Sequence, residues 1–251
     1  MSGHSKWASI KHQKAVSDAR RGQLFTKLAR EIIVAVRKGG SNPDANFALR
    51  LAIQRARDSN MPSENIERAI KRGSGSTEEA SLVEMILEGY GPGGAAILVQ
   101  ALSDNRNRTV QNVRNLFARG GGNLGESGCV AWLFASKGVI AIETEDIDTE
   151  ELALQAIDAG AEDVSIENNY VEIYTRPEEL EKIRAALEQE DIPVTSAELS
   201  MVPKTTLDLD EKAAIQTLKL MDKLEELDDV RNVSTNVNFS DSILEKYQER
   251  V

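Results

Sequence analysis

Histidine, cysteine and grouped carboxylates build most hydrolytic, redox and metal sites, and this sequence places few of them where they could cooperate. Its two histidines, His4 and His12, stand eight positions apart near the start of the chain. That spacing misses the i,i+4 helical metal pair, and neither ring has a fixed acid-base partner in sequence. One cysteine, Cys129, excludes an internal disulfide and a thiolate zinc site. It lies in GCVAWLF, which reads as a strand over 129–134 with the thiol facing a core. The acids Glu143, Glu145, Asp146, Asp148, Glu150 and Glu151 lack calcium-loop spacing and read as a solvated face. ARGGGNLGESG at 118–128 has the glycines of a phosphate loop, but it follows a helix and precedes a strand, the reverse of a nucleotide loop. GYGPGG reads first as a turn whose glycines permit positive φ. The expectation is therefore no catalytic residue, no metal, no cofactor and no enzyme.

What the sequence does concentrate is positive charge. The net charge is -11, yet residues 1–75 hold 15 Lys/Arg against 6 Asp/Glu, leaving 15 against 35 for residues 76–251. A polyanion would be drawn to the first part and repelled by the second, so the charge distribution orients its approach. Lys6, Lys11, Lys14, Arg20, Arg21, Lys27 and Arg30 precede Glu31 with Asp18 as the only acid among them. Such cations release condensed counterions from DNA or RNA and give salt-sensitive binding. Trp7, between Lys6 and Lys11, has the ring face to stack on an exposed base. SDNRNRT at 103–109 adds Arg106 and Arg108 at a predicted helix start, where side chains and helix N-terminus share a phosphate. These ten residues are the expected nucleic-acid contacts.

The elements that must carry them follow from periodicity. After a basic arm over 1–16, Phe25, Leu28, Ala29, Ile32 and Val36 recur at helical spacing over 17–38, and Gly39-Gly40 supplies the stop. Arg20, Lys27, Arg30, Arg37 and Lys38 fall opposite that stripe. Asn42-Pro43 is expected to cap a second helix reaching Arg57, and a third follows Pro62 with Glu64-Arg68 and Glu67-Lys71 in the favourable i,i+4 order. GSGSTEE at 73–79 reads as an interdomain linker.

Beyond it the order is β-β-α-β to residue 134. A ferredoxin-like βαββαβ then runs over 138–202, and a helix over 210–227 and a strand over 230–239 are left to complete the earlier unit. The expected fold class is α+β: an N-terminal three-helix domain, 1–76, a discontinuous α/β domain, 77–134 plus 204–251, and an inserted ferredoxin-like domain, 135–203. No apolar run has signal-peptide or membrane-span length, so a cytoplasmic protein is expected.

GHSKWASIKHQK, NPDANFALRLAIQRARDSNMPSENIERAIKRG, EGYGPGGAAILV, SDNRNRTVQNVR, GGGNLGESGCVAWLF and SMVPKTT, in that order over nearly the whole chain, resemble the YebC family. That family includes a mitochondrial translational activator of cytochrome oxidase subunit one. The resemblance implies a three-domain α+β protein of bacterial cytoplasm or mitochondria. Its members are described either as DNA-binding regulators of transcription or as ribosome-associated translation factors. The matching basic positions are Lys6, Lys11, Lys14, Arg106 and Arg108, and the family supplies no catalytic residue. With no Arg- and Ser-rich presequence ahead of the motif, a bacterial member is expected. The leading expectation is DNA binding that regulates transcription. The alternative is a translation factor meeting ribosomal or transfer RNA on the ribosome. Neither reading involves a membrane or fixes an oligomeric state, and connections such as GGSNP fit a plain bundle as well as a helix-turn-helix.

Overall fold

The structure is a computed structural model and describes residues 18–75, 82–144, 148–167 and 170–249. It is α+β, as the element order predicts: helices first, then two four-stranded antiparallel sheets. The described chain divides into two compact units, one of residues 135–202, the other formed by the segments on either side of it.

The larger unit begins with helices α1 (Asp18–Gly39), α2 (Phe47–Asp58) and α3 (Ser63–Ser74). Leu28, Ile32, Ile33, Ala35 and Val36 of α1 bury against Leu49, Ala52, Ile53 and Ala56 of α2 and Ile66 and Ala69 of α3. Gly40, at φ +85°, ends α1 and returns its N–H to the Val36 carbonyl at 2.8 Å. The cap of α2 is not at Asn42-Pro43. Asn42 forms a local turn, its Oδ1 accepting the Asp44 N–H, and the cap is Asn46. Asn46 wins because its buried amide serves two helix ends: Oδ1 accepts the Leu49 N–H at 3.1 Å, while Nδ2 donates to the Ala35 and Gly40 carbonyls at 2.8 Å each. The linker reading also shifts. Gly73 and Ser74 belong to α3, and a Cβ on Gly73 would stand 2.7 Å from Val36 Cβ. That glycine is there for helix contact, and residues 76–79 of the expected linker lie outside the described residues.

The same unit continues with β1 (Val83–Tyr90), β2 (Ala96–Ser103), α4 (Arg106–Arg119), β3 (Asn123–Leu124), α7 (Glu211–Glu225), β8 (Val230–Thr235) and α8 (Asp241–Gln248). The sheet order is β3-β1-β2-β8. Met85 and Leu87 of β1 lie opposite Ala101 and Val99 of β2, and that face buries against Val113 and Phe117 of α4 and Leu218 and Met221 of α7. Helix α8 went unread because its apolar contacts are few: Leu244 and Tyr247 are buried, and the Tyr247 hydroxyl donates to Asp222.

Residues 129–134 are not the predicted strand. Ala131–Leu133 form a 3-10 turn, and β3 supplies the edge partner of β1. The cause is Glu88, whose carboxylate collects the N–H groups of Gly128, Val130 and Ala131 and withdraws them from any ladder. Where this unit resumes, the Lys204 N–H donates to the Leu133 carbonyl at 2.8 Å and its ammonium to the Trp132 carbonyl at 2.9 Å.

The smaller unit contains β4 (Phe134–Glu143), α5 (Thr149–Ala159), β5 (Asp163–Glu167), β6 (Tyr170–Thr175), α6 (Leu180–Gln189) and β7 (Ser196–Pro203). Its order β5-β6-β4-β7 is the ferredoxin-like arrangement predicted from βαββαβ. Asp148 caps α5 by accepting the Glu150 and Glu151 N–H groups, and Gly160 ends it at φ +109°.

Candidate nucleic-acid interface

Helix α1 carries charge on two sides of its apolar stripe, and the two sides meet different surroundings. One side lies against the turn between α7 and β8. There Lys27 donates to the Glu225 carbonyl, and Arg30 donates to the Asp228 carbonyl at 2.9 Å and to Asp229 Oδ1 at 3.1 Å. Asp229 also accepts two bonds from Arg108 Nη2, at 2.9 and 3.1 Å, and one from the Thr109 hydroxyl at 2.8 Å. Arg108 reaches Asp104 at 2.8 Å as well. Burial raises the Asp229 pKa, but the bonds from Arg108 and Thr109, with the Arg108 charge, outweigh it and hold the carboxyl below its ordinary value. Arg108 is correspondingly held above its own, chiefly by the Asp229 bond. Beside this cluster buried Glu31 takes Arg55 at 3.4 Å and Arg231 at 3.2 Å.

The other side of α1 opens on a groove of about 640 Å³ shared with α3. Arg30 and Arg37 line it from α1, two turns apart, and Arg68 and Arg72 line it from α3, one turn apart. Ile33 and Ala69 also line it, Phe25 and Asn65 add an aromatic ring and an amide, and among the described residues the one carboxylate in the lining is Asp104. Arg68 has an i,i+4 partner in Glu64 at 3.0 Å, both side chains largely exposed, an interaction weak enough to exchange for a phosphate. Four guanidiniums around one slot, each a planar fork matched to phosphate oxygens, make a surface suited to a polyanion.

Of the ten expected contacts, Lys27, Arg30 and Arg108 are brought together around the α7–β8 turn, and Arg30 also borders the groove. Arg21 and Arg106 are exposed and stand apart from that cluster. Arg20 is in α1, with its side chain outside the described residues, as are Lys6, Trp7, Lys11 and Lys14 altogether. Sequence reasoning placed Arg37 on a cationic face but missed Arg68 and Arg72 as its partners. The available signal was the pairing of Arg30-Arg37 with Arg68-Arg72, each pair at same-face spacing.

The glycine loop over 118–128 spends its N–H groups within the protein: Gly120 and Gly122 return theirs to α4, Gly125 gives its to the Glu88 carbonyl, and Gly128, with Val130 and Ala131 just beyond, holds the Glu88 carboxylate. Burial works against that charge, yet the three backbone bonds prevail and keep Glu88 below the ordinary carboxylate range. Burial first, then the Glu88 charge, pushes the Cys129 thiol up, which disfavours the nucleophilic thiolate. Among the described residues no group of His, Cys, Asp or Glu is placed to hold a metal, and no helix is long and apolar enough to cross a membrane.

A cation-lined helical bundle joined to an antiparallel α/β domain that carries a ferredoxin-like insertion is the class of molecule defined by this fold and site. The chain belongs to the TACO1/YebC family. Residues 5–76 match the TACO1/YebC protein N-terminal domain and residues 82–237 the TACO1/YebC second and third domain. A protein of Dehalococcoides mccartyi (strain CBDB1) named "Probable transcriptional regulatory protein" is 60% identical over 250 residues, covering 100% of both chains. One of the same name from Moorella thermoacetica is 53% identical over 98% of this chain and 99% of its own. The crystal structure of a conserved hypothetical protein from Aquifex aeolicus superposes with a TM-score of 0.87 at 50% identity, covering 95% of this chain and 99% of that one.

Proposed function

We propose that this protein is a nucleic-acid-binding regulator of transcription whose N-terminal helical bundle makes the contact, with the groove between α1 and α3 as the phosphate-binding surface. The observation that carries the reading is the convergence of four arginines, Arg30, Arg37, Arg68 and Arg72, on one groove between two helices. The regulatory role draws on the names of the relatives, and the positive 1–75 segment beside an acidic remainder would orient the duplex toward the bundle. The arm residues Lys6, Trp7, Lys11 and Lys14, with exposed Arg21 and Arg106, extend the same contact. Competition binding tests it: at physiological salt a specific duplex should outcompete random duplex by orders of magnitude. A ratio near one sinks sequence-directed regulation.

One observation favours a second reading, a ribosome-associated translation factor working in the cytoplasm. The cationic surface is a concave slot rather than a protruding helix, and a slot admits an RNA loop or single strand as readily as a duplex backbone. Crosslinking in living cells, with sequencing of recovered DNA and RNA, separates the two. Promoter enrichment supports the first, and dominant ribosomal or transfer RNA supports the second.

A further inference from the structure

Tyr90 ends β1 and Trp132 sits in the 3-10 turn that precedes β4, and both rings face solvent, Trp132 at 66% exposure and Tyr90 at 37%. Bulky aromatic side chains ordinarily gain by burial, so two displayed together need an account. Their polar ends are not displayed. The Tyr90 hydroxyl donates to the Cys129 carbonyl at 3.0 Å, and the Trp132 indole N–H donates to the same oxygen at 3.1 Å. That carbonyl is itself held in place, because Glu88 binds the N–H groups of Gly128 at 2.6 Å, Val130 at 2.8 Å and Ala131 at 2.7 Å, on both sides of Cys129. From the opposite flank the Lys204 ammonium fixes the Trp132 carbonyl at 2.9 Å. A buried carboxylate thus positions a carbonyl, and the carbonyl positions two rings.

With both donors engaged, the rings offer a ligand chiefly their π faces. A ligand recognised this way needs a flat face of its own and no directional hydrogen bond from the ring edges. An unpaired nucleobase has that chemistry, and stacking on Trp or Tyr is indifferent to which base it is. Exposed Lys204 adds a cation beside the rings for the phosphate that accompanies a base, with ammonium donors beyond the one it gives to Trp132.

We propose that Tyr90 and Trp132 form a stacking platform for an unpaired base of a single-stranded nucleic acid, with Lys204 beside it for the adjoining phosphate. The platform rests on the nucleic-acid reading given above and deepens it. The groove between α1 and α3 attracts phosphates of any strand, whereas this second site selects strands whose bases are unstacked. Glu88 is a positioning residue here, since it touches the loop and not the ligand.

The full chain is titrated with uridine and thymidine oligonucleotides of about ten residues and with a duplex of equal length. Trp132→Ala is expected to weaken single-strand binding by about tenfold while leaving duplex binding unchanged. Trp132→Phe should recover most of the loss, because a ring face remains. Tryptophan fluorescence of the parent should be quenched by the single strands, and in Trp132→Phe that quenching should fall to the part contributed by Trp7, the other tryptophan of the chain. A tighter uridine complex assigns the platform to RNA, and a tighter thymidine complex to DNA. If the parent binds both strand forms while Trp132→Ala matches it and Trp132→Phe keeps the parent's quenching in full, the platform is overturned and the groove reading survives. If the parent binds neither form, both fall together.

Discussion

Helix α1 brings arginines to two neighbouring surfaces that treat them in opposite ways. Around Asp229 each guanidinium has been given a carboxylate: Arg30 and Arg108 converge on one buried acid, with Thr109 filling in behind. In the groove four arginines share a lining with one acid, Asp104, which is itself bonded to Arg108. Residue type and local sequence are similar in the two places, so an arginine's role here is set by what the distant part of the chain brings to it. The first surface fastens the helical bundle to the sheet domain. The second lines a slot in which Arg30 and Arg68 also have acidic partners of their own, Asp229 and Glu64.

Breaking the fastening should give the largest effect. Asp229→Ala removes the acceptor shared by Arg30, Arg108 and Thr109. Both arginines keep some contact with water, which moderates the loss to about 2–3 kcal/mol, or a melting temperature about 5–10 °C lower. A melting curve unchanged from the parent would show that α1 is fastened elsewhere. Acid should loosen the same contact in a defined direction. The folded Asp229 carboxyl lies below its ordinary value of 3.8, so its stabilisation is complete above that pH and is lost as pH falls through the lower folded value. The stability difference between the parent and Asp229→Asn should therefore hold steady from neutral pH to about pH 5 and shrink below 3.8. A difference that shrinks as pH rises instead would contradict the sign.

The groove should respond in binding rather than in melting. Arg37→Glu combined with Arg68→Glu is expected to lower nucleic-acid affinity at least tenfold and to flatten the dependence of log K on log salt by about 1–2 units. An unchanged salt slope would remove the groove from the contact. Gly73→Ala links the two readouts, because its Cβ would press 2.7 Å from Val36 Cβ and 3.0 Å from the Ile33 carbonyl. Overpacking of about 1–3 kcal/mol is partly offset by about 1 kcal/mol of better helix propensity, leaving a net loss near 1 kcal/mol and a slackened α1–α3 groove. Equal stability in parent and variant would mean that the helices part freely. The smallest effect belongs to the NRNR pair: Arg106→Ala should leave melting unchanged while Arg108→Ala lowers it, since only Arg108 is bonded to Asp229.

Periodicity made the helices and the ferredoxin-like order legible, because each rests on patterns repeated within ten or twenty residues. What was not legible depends on single side chains meeting across long separations. Asn46 caps α2 because it also reaches the end of α1, and Asn42, equally suited by type, has no such neighbour. Residues 129–134 have strand composition, yet Glu88, some forty positions earlier, takes their N–H groups. Gly73 has the look of a linker until Val36 is placed against it. At the site, the bundle's positive charge could be counted from sequence. Asp229, some two hundred positions from Arg30, could not be foreseen as the acid on which Arg30 and Arg108 converge.

The bond between the Lys204 N–H and the Leu133 carbonyl joins the two points where the sheet domain is interrupted. Bringing those ends together costs the host a loop-closure entropy that grows only slowly with what hangs between them, about 0.6 kcal/mol for each doubling of its length. Residues 135–202 are in that sense a cassette: the socket is the Lys204 N–H on Leu133 and the Lys204 ammonium on Trp132, two bonds to backbone carbonyls that use no side chain of the insert.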